Sequence, residues 1–289
     1  MAAMPAFFAP IQQDTVRALE DLVPAVPESP VVDAMRYTLL APSKRIRAVL
    51  ASLAADVCGA PTTVTVRPAA CALEAIHAAS LMLDDLPSMD DAPLRRGRPA
   101  AHVVFGEAVT ILAAFGLLNE AFAMLVRGYD AALAARLAGI MSEAVGLDGL
   151  VAGQAEDLLA TDTAIQFGTL ERIHRRKTGA LFGAAARAGG VAAGGTDHDI
   201  GALAAYAKNL GLAFQIIDDL LDVTGTPEET GKATRTDARK TTFVSFSGVD
   251  GARKLAGELC ETAVAALDPF GARAARLREL ATFVAARRL

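Results

Sequence analysis

Apolar residues recur every three to four positions along almost the whole of this chain of 289 residues, which is the period of an amphipathic helix. The stretches VRALEDLV and VVDAMRYTLL predict an early helix pair. Ile46 to Cys58 predicts another helix, closed by Gly59. Residues 61–66 read as a turn after Pro61, and a long helix follows from Arg67 to Asp85, where Pro87 stops it. Further helices are predicted at about 105–127, 130–147, 148–160, 169–189, 197–223, 250–267 and 271–287. No strand-like alternation is sustained, so a sheet of alternating strands and helices is excluded. Loops fall at GGVAAGGTDHD and TGTPEETGKATRTDARK. No linker divides the chain and no fixed-period repeat is present. Residues 1–289 are therefore expected to form a single all-α domain, with room among its helices for a central cavity.

Composition narrows the picture. With 53% hydrophobic and 21% charged residues, a sizeable core is easy to build and disorder is excluded. The most apolar stretch, Val103 to Val126, is interrupted by Glu107, Asn119 and Glu120, so a buried helix is expected rather than a membrane span. The formal net charge of -5 argues against a nucleic-acid partner. Cys58, Cys71 and Cys260 are dispersed and unpaired in sequence, which excludes a disulfide framework or a zinc site. With no basic, apolar leader at the N-terminus, a reducing cytoplasm is the expected compartment.

Two segments break the apolar monotony. LMLDDLPSMDDAPLRRGRP (residues 81–99) gathers Asp84, Asp85, Asp90 and Asp91 with Arg95, Arg96 and Arg98. FQIIDDLLDVTG (residues 214–225) puts Asp218 and Asp222 four apart, on one helix face. Like charges at such spacing weaken a helix. Either run alone would read as a solvated acidic face. Two runs with matching apolar lead-ins, ASLMLDD and AFQIIDD, suit a hard cation such as magnesium, which takes oxygen ligands and bridges to phosphate. Cations flank them: Lys44, Arg45 and Arg47; Arg95 and Arg96; Arg175, Arg176 and Lys177; Lys232 and Lys240. Carboxylates, a divalent ion and guanidinium groups together are what a diphosphate needs. No Ser-His-Asp or Cys-His pattern is present.

The combination resembles the trans-isoprenyl diphosphate synthases. The two aspartate motifs match, together with KRIR, IHAASLMLDD, GLVAGQAEDL, RRKTGALF and the GK and K.TF elements, in the family's order from about residue 40 to 245. The resemblance implies an all-α isoprenoid synthase fold of ten or more helices around a deep cavity, as a homodimer. It implies condensation of isopentenyl diphosphate with an allylic diphosphate, using three magnesium ions. By motif position, Asp84, Asp90 and Asp218 would hold the metals, with Asp85 and Asp222 in support. Arg95, Lys177, Lys232 and Lys240 would grip the allylic diphosphate. Lys44, Arg47, His77 and Arg96 would bind isopentenyl diphosphate. Thr178 and Gln215 would set oxygen dipoles against the allylic cation. By itself, His77 on an apolar helix reads as a core histidine, and the family match reverses that. Gln154 and Asp157 are expected to be structural or supporting. Pro42-Ser43 stands where the family has paired glycines, and Phe243 stands where tyrosine is common.

The resemblance also bears on product length. Relatives that stop at fifteen carbons tend to carry an aromatic at the position of Ala79, one to one and a half turns before Asp84. A methyl at Ala79, beside Ser80, leaves the channel open, with Phe115 or Leu118 as candidate floors. A geranylgeranyl diphosphate synthase is the expected activity. A farnesyl diphosphate synthase, or a non-catalytic subunit of a heteromeric synthase, is the alternative.

Overall fold

The computed structural model describes residues 4–23, 28–60, 63–224 and 240–286. Helices α1 (Phe8–Leu22), α2 (Pro30–Leu39), α3 (Ile46–Val57) and α4 (Thr63–Asp84) come first. A hairpin of β1 (Leu94–Arg95) and β2 (Arg98–Pro99) leads into α5 (Ala101–Phe105), α6 (Glu107–Gly128), α7 (Ala131–Val145), α8 (Leu150–Leu159) and α9 (Phe167–His174). A π-turn (Arg175–Gly179) joins α9 to α10 (Ala180–Ala192). The remainder is α11 (Asp197–Thr224), α12 (Phe243–Ala265), a 3-10 turn (Asp268–Ala274) and α13 (Ala275–Ala285).

α10 explains the arrangement. Its sequence, ALFGAAARAGGVA, is almost free of bulk, and nearly every residue of it is buried. It packs against α3, α4, α7 and α11. Small side chains let these helices approach to backbone contact. A Cβ added to Gly189 would lie 2.1 Å from the Ala51 carbonyl oxygen on α3, an overlap that neither backbone can relieve. Around this axis, α4 packs on α6 and α11 on α12.

The sequence reading is right about the helices and wrong in four local places. α4 begins at Thr63, not Arg67, and carries Pro68 inside it. The Pro68 ring lies where a Gly128 side chain would start, 2.4 Å from the Cβ position, so close packing against the end of α6 accommodates the proline. The span 169–189 is not one helix, because the π-turn interrupts it. α12 starts at Phe243, seven residues before the expected position, and bends at Gly248, whose φ of 67° only glycine adopts freely. The hairpin was not foreseen. Its strands pair antiparallel, Leu94 with Pro99 and Arg95 with Arg98. Arg96 (φ 55°) and Gly97 (φ 72°) form the two-residue turn, as primed hairpin turns require.

Cys71 and Cys260 are buried, Cys58 is half-buried, and all three are free. Burial pushes each thiol up, to about 11, 12 and 11 for Cys58, Cys71 and Cys260, so none is an activated nucleophile. By length and composition three helices, α4, α6 and α11, could cross a membrane. α4 and α11 are largely packed into the bundle. The apolar window of α6 is only 39% buried and leaves Leu112, Phe115 and Val126 exposed.

Candidate active site

The first aspartate motif begins where α4 ends. The chain turns back there, and the Asp90 amide donates to the Asp84 carbonyl at 2.9 Å. Two residues six apart thus become neighbours. Asp84 lies 3.7 Å from Lys177 Nζ, and Asp90 lies 3.1 Å from Lys240 Nζ. Both ammonium groups also reach Oδ2 of one carboxylate on α8, Asp157, at 2.8 and 3.0 Å. Three carboxylates and two lysines thus share one knot of charge. Burial raises the Asp84 carboxyl, and Lys177 only partly offsets this. Burial would also raise Asp157, but the two lysines together hold it below its ordinary value. Burial opposes charge on Lys177, yet Asp84 and Asp157 hold its basicity above normal.

Lys177 and Thr178 owe their position to the π-turn. It is pinned from two sides by glycines. A Cβ on Gly153 of α8 would lie 2.3 Å from the Lys177 amide nitrogen, and one on Gly211 of α11 would lie 3.1 Å from the Gly179 Cα. Between these helices an ordinary turn becomes an i→i+5 turn, a distortion common at functional sites. Its residues then join both aspartate helices. Lys177 reaches Asp84 on α4. Thr178 donates its hydroxyl to Gln215 Oε1 on α11 at 2.9 Å, and Gln215 Nε2 donates to Asp219 Oδ1 at 3.0 Å. The other oxygen of Asp219 accepts from the Phe243 amide at 3.0 Å and so caps the start of α12. Thr178 and Gln215 are thereby locked in orientation.

The Asp85 carboxylate is buried and faces elsewhere. Arg95 Nε donates to both its oxygens, at 2.9 and 3.1 Å, and the Arg95 fork closes a second contact. In this arrangement Asp85 holds Arg95 in place. Next to it lies a cationic group. Arg47 is buried, stacks over the Phe182 ring at 5.4 Å, and has an Nε without a hydrogen-bond partner. Burial brings its guanidinium down to about 10 despite Glu74, so it stays charged at neutral pH. Arg96 and Asp218 are both close enough to act on it. His77 is held well below its ordinary value, first by burial and then by Arg47, Arg96, Arg95 and Arg45. It is a neutral imidazole among arginines. Arg45 itself is structural: it pairs with buried Glu74 at 3.4 Å and donates to the Leu39 and Ala41 carbonyls. Lys44 is exposed, with its Nζ 5.9 Å from the Phe283 ring centre.

A family model for polyprenyl synthetases matches residues 28–258. The chain belongs to the polyprenyl synthetase family. A chloroplastic geranylgeranyl pyrophosphate synthase of Capsicum annuum is 39% identical over 278 residues, covering 94% of this chain and 75% of that protein. The crystal structure of an FPP/GFPP synthase from Zymomonas mobilis superposes with a TM-score of 0.86 at 34% identity, covering 97% of this chain and 98% of that one. A geranyltransferase from Helicobacter pylori, complexed with magnesium and isoprenyl diphosphate, superposes with a TM-score of 0.82 at 27% identity, covering 98% of each chain. The expected all-α isoprenoid synthase fold is the one observed, and the activity class is chain-elongating prenyl transfer.

In this polyprenyl synthetase, Asp218 and Asp222 lie half-buried on α11, one turn apart. Lys232 lies outside the described residues. Asp157 and Asp219 are the two residues that the sequence reading undervalued. Asp157 stood out only as part of GQAEDL, and nothing along the chain marks a carboxylate that two lysines will share. Ala79 is buried on the α4 seam, and Ser80 is half-buried with its hydroxyl on the His77 carbonyl at 2.9 Å. Leu118 packs against the core. Phe115 does not: it is 65% exposed and cannot close a channel within its own chain, which leaves Leu118 as the floor candidate on α6.

Proposed function

We propose that this protein is a geranylgeranyl diphosphate synthase, extending allylic diphosphates with isopentenyl diphosphate up to twenty carbons. Among the described residues no three ligating side chains converge on a point; the carboxylates are bridged by ammonium groups instead. The donor set still fits magnesium, since Asp84, Asp90, Asp218 and Asp222 offer only hard oxygen ligands. Three ions are expected, by resemblance. Bound there, magnesium supplies Lewis-acid stabilisation of a departing diphosphate.

The chain's own residues do the rest. Lys177 and Lys240 rest on carboxylates and turn onto diphosphate oxygens when those arrive. Arg95, held by Asp85, presents its outer edge to the same anion, and Lys232 belongs with this group by its motif. Thr178 gives its proton to Gln215, so its oxygen lone pairs remain for the allylic cation, and Gln215 is fixed by Asp219. Arg47, Arg96, Lys44 and neutral His77 receive isopentenyl diphosphate; the unpartnered Nε of buried Arg47 supports this. The proton lost from the new chain passes to the released diphosphate, so no protein base is required.

Arg47→Ala or Arg96→Ala is expected to raise KM for isopentenyl diphosphate about 10- to 100-fold, the worth of one charge-assisted hydrogen bond. KM for the allylic partner should change little. Initial-rate kinetics with each substrate varied in turn decide this, and an equal rise for both would reject the partition.

Product length rests on Ala79. It lies on α4 about 7.5 Å along the axis from Asp84, buried with only a methyl to offer. Each added isoprene unit buries five carbons, worth about 4 kcal/mol, so burial never stops growth and only a steric floor can. Ala79→Tyr is expected to shift the product from twenty to fifteen carbons, read by chromatography of the dephosphorylated alcohols. Native product at full rate from that variant would reject the assignment.

A homodimer is part of the same reading. The exposed apolar stripe of α6, Leu112, Phe115 and Val126, supports a covering partner copy. Light scattering should give twice 29.9 kDa, and a monomer at micromolar concentration would refute it.

A further inference from the structure

Of the cations in the RRKTG turn, only Lys177 serves the aspartate site. Arg176 reaches Asp148 at 3.3 Å and also Glu156, and Arg175 comes within 4.0 Å of Glu171. Both arginines line a separate cleft of about 450 Å³. Arg172, Arg187 and Lys208 bring its cations to five. Only two carboxylates line it, Glu143 and Asp148. Their side chains are 64% and 91% exposed, so each can swing into water at little cost. Lys208 has no ion-pair partner among the described residues. The N-terminus of α8 has no side-chain cap, and its Gly149 opens onto the same cleft. Its remaining lining residues, Gly179, Gly183 and Ala184 among them, are all glycine or alanine. It offers no large apolar surface for a hydrocarbon tail.

We propose that this cleft is a second anion site, which takes the diphosphate group of a small phosphorylated ligand. Arginine forks suit phosphate oxygens, and an uncapped helix start adds positive potential. The site shares one five-residue turn with the catalytic face: Arg175 and Arg176 point to the cleft, Lys177 and Thr178 to the aspartates. Its occupant therefore acts on the turn that holds Lys177. This coupling rests on Lys177 and Thr178 serving prenyl transfer; the binding does not.

The test is calorimetric titration of the full chain in EDTA, with inorganic diphosphate in one arm and geranyl diphosphate in the other. The double variant Arg187→Ala/Lys208→Ala should weaken binding at least tenfold in one or both arms, and the affected arm identifies the source. Arg253→Ala/Lys254→Ala, on the exposed face of α12, should leave that binding within threefold. Binding lost in the second variant and kept in the first, or unchanged in both, would overturn the proposal. Amide exchange of residues 176–179 should slow on titration of the native chain and not of the Arg187→Ala/Lys208→Ala variant. Unchanged exchange would overturn the coupling. Neither readout needs turnover, so failure here is distinct from failure to make a prenyl product.

Discussion

Replacing Asp84 by asparagine is expected to lower kcat/KM by about a thousandfold, which corresponds to about 4 kcal/mol of lost transition-state stabilisation. The side chain keeps its shape and loses the charge that faces Lys177 and that, under the proposed function, would hold the metal. Folding should survive. Asp84 is largely buried and sits beside Asp90, and its carboxylate is raised by burial, so neutralising it removes a desolvated charge. Lys177 retains Asp157 at 2.8 Å. Circular dichroism should therefore show native helicity, with a melting temperature within a few degrees of the parent. Near-normal turnover in this variant would mean that the carboxylate holds no metal. Unfolding would mean that its role is structural.

Gly153→Ala is expected to be the second most damaging change, although it adds one methyl group and removes no charge. The new Cβ would meet the Lys177 amide nitrogen at 2.3 Å and the Arg176 carbonyl carbon at 2.8 Å. Both are backbone atoms, so α8 and the π-turn must part. Lys177 and Thr178 move with the turn. A displacement near 1 Å can cost about a hundredfold in rate, and overpacking of this kind costs about 1–3 kcal/mol in stability. Gly139→Ala on α7 is the control, because a Cβ there meets nothing within 4 Å. It should gain up to about 1 kcal/mol from helix propensity. Thermal melts and steady-state rates of the two variants give the comparison. Equal behaviour would show that the glycine contact does not position the turn.

The π-turn also marks where sequence reading stops. HRRKTGALFG continues the apolar period of its neighbours, so it predicts one helix over 169–189. The irregularity is imposed from outside, by Gly153 and Gly211 on two other helices. The pairing of Asp85 with Arg95 is hidden for a similar reason: ten residues separate them, and Arg95 lies on a strand of two residues, which carries no period. The start of α4 is hidden because residues 61–66 read as a turn after Pro61, whereas the helix begins at Thr63. What could be read was local and repeated. The long helices announce themselves by spacing, and the two aspartate motifs by matching apolar approaches. Phe243 shows both sides. Along the chain it reads only as a departure from a common tyrosine, yet its ring is fully buried against Phe167 and His174, where a phenol would need a partner for its hydroxyl.

The nearly bulk-free α10 has a consequence for how proteins of this kind can diverge. It touches four other helices at once, so enlargement at its buried positions, Gly189 above all, meets a neighbouring backbone and is closed to gradual change. The residues proposed to set product length, Ala79 and Leu118, lie instead on α4 and α6. Under the proposed function, variation in product length is thus steered toward these positions, while the buried face of α10 stays fixed. On that reading a small number of substitutions at these positions would separate one lineage's product from another's without rebuilding the protein.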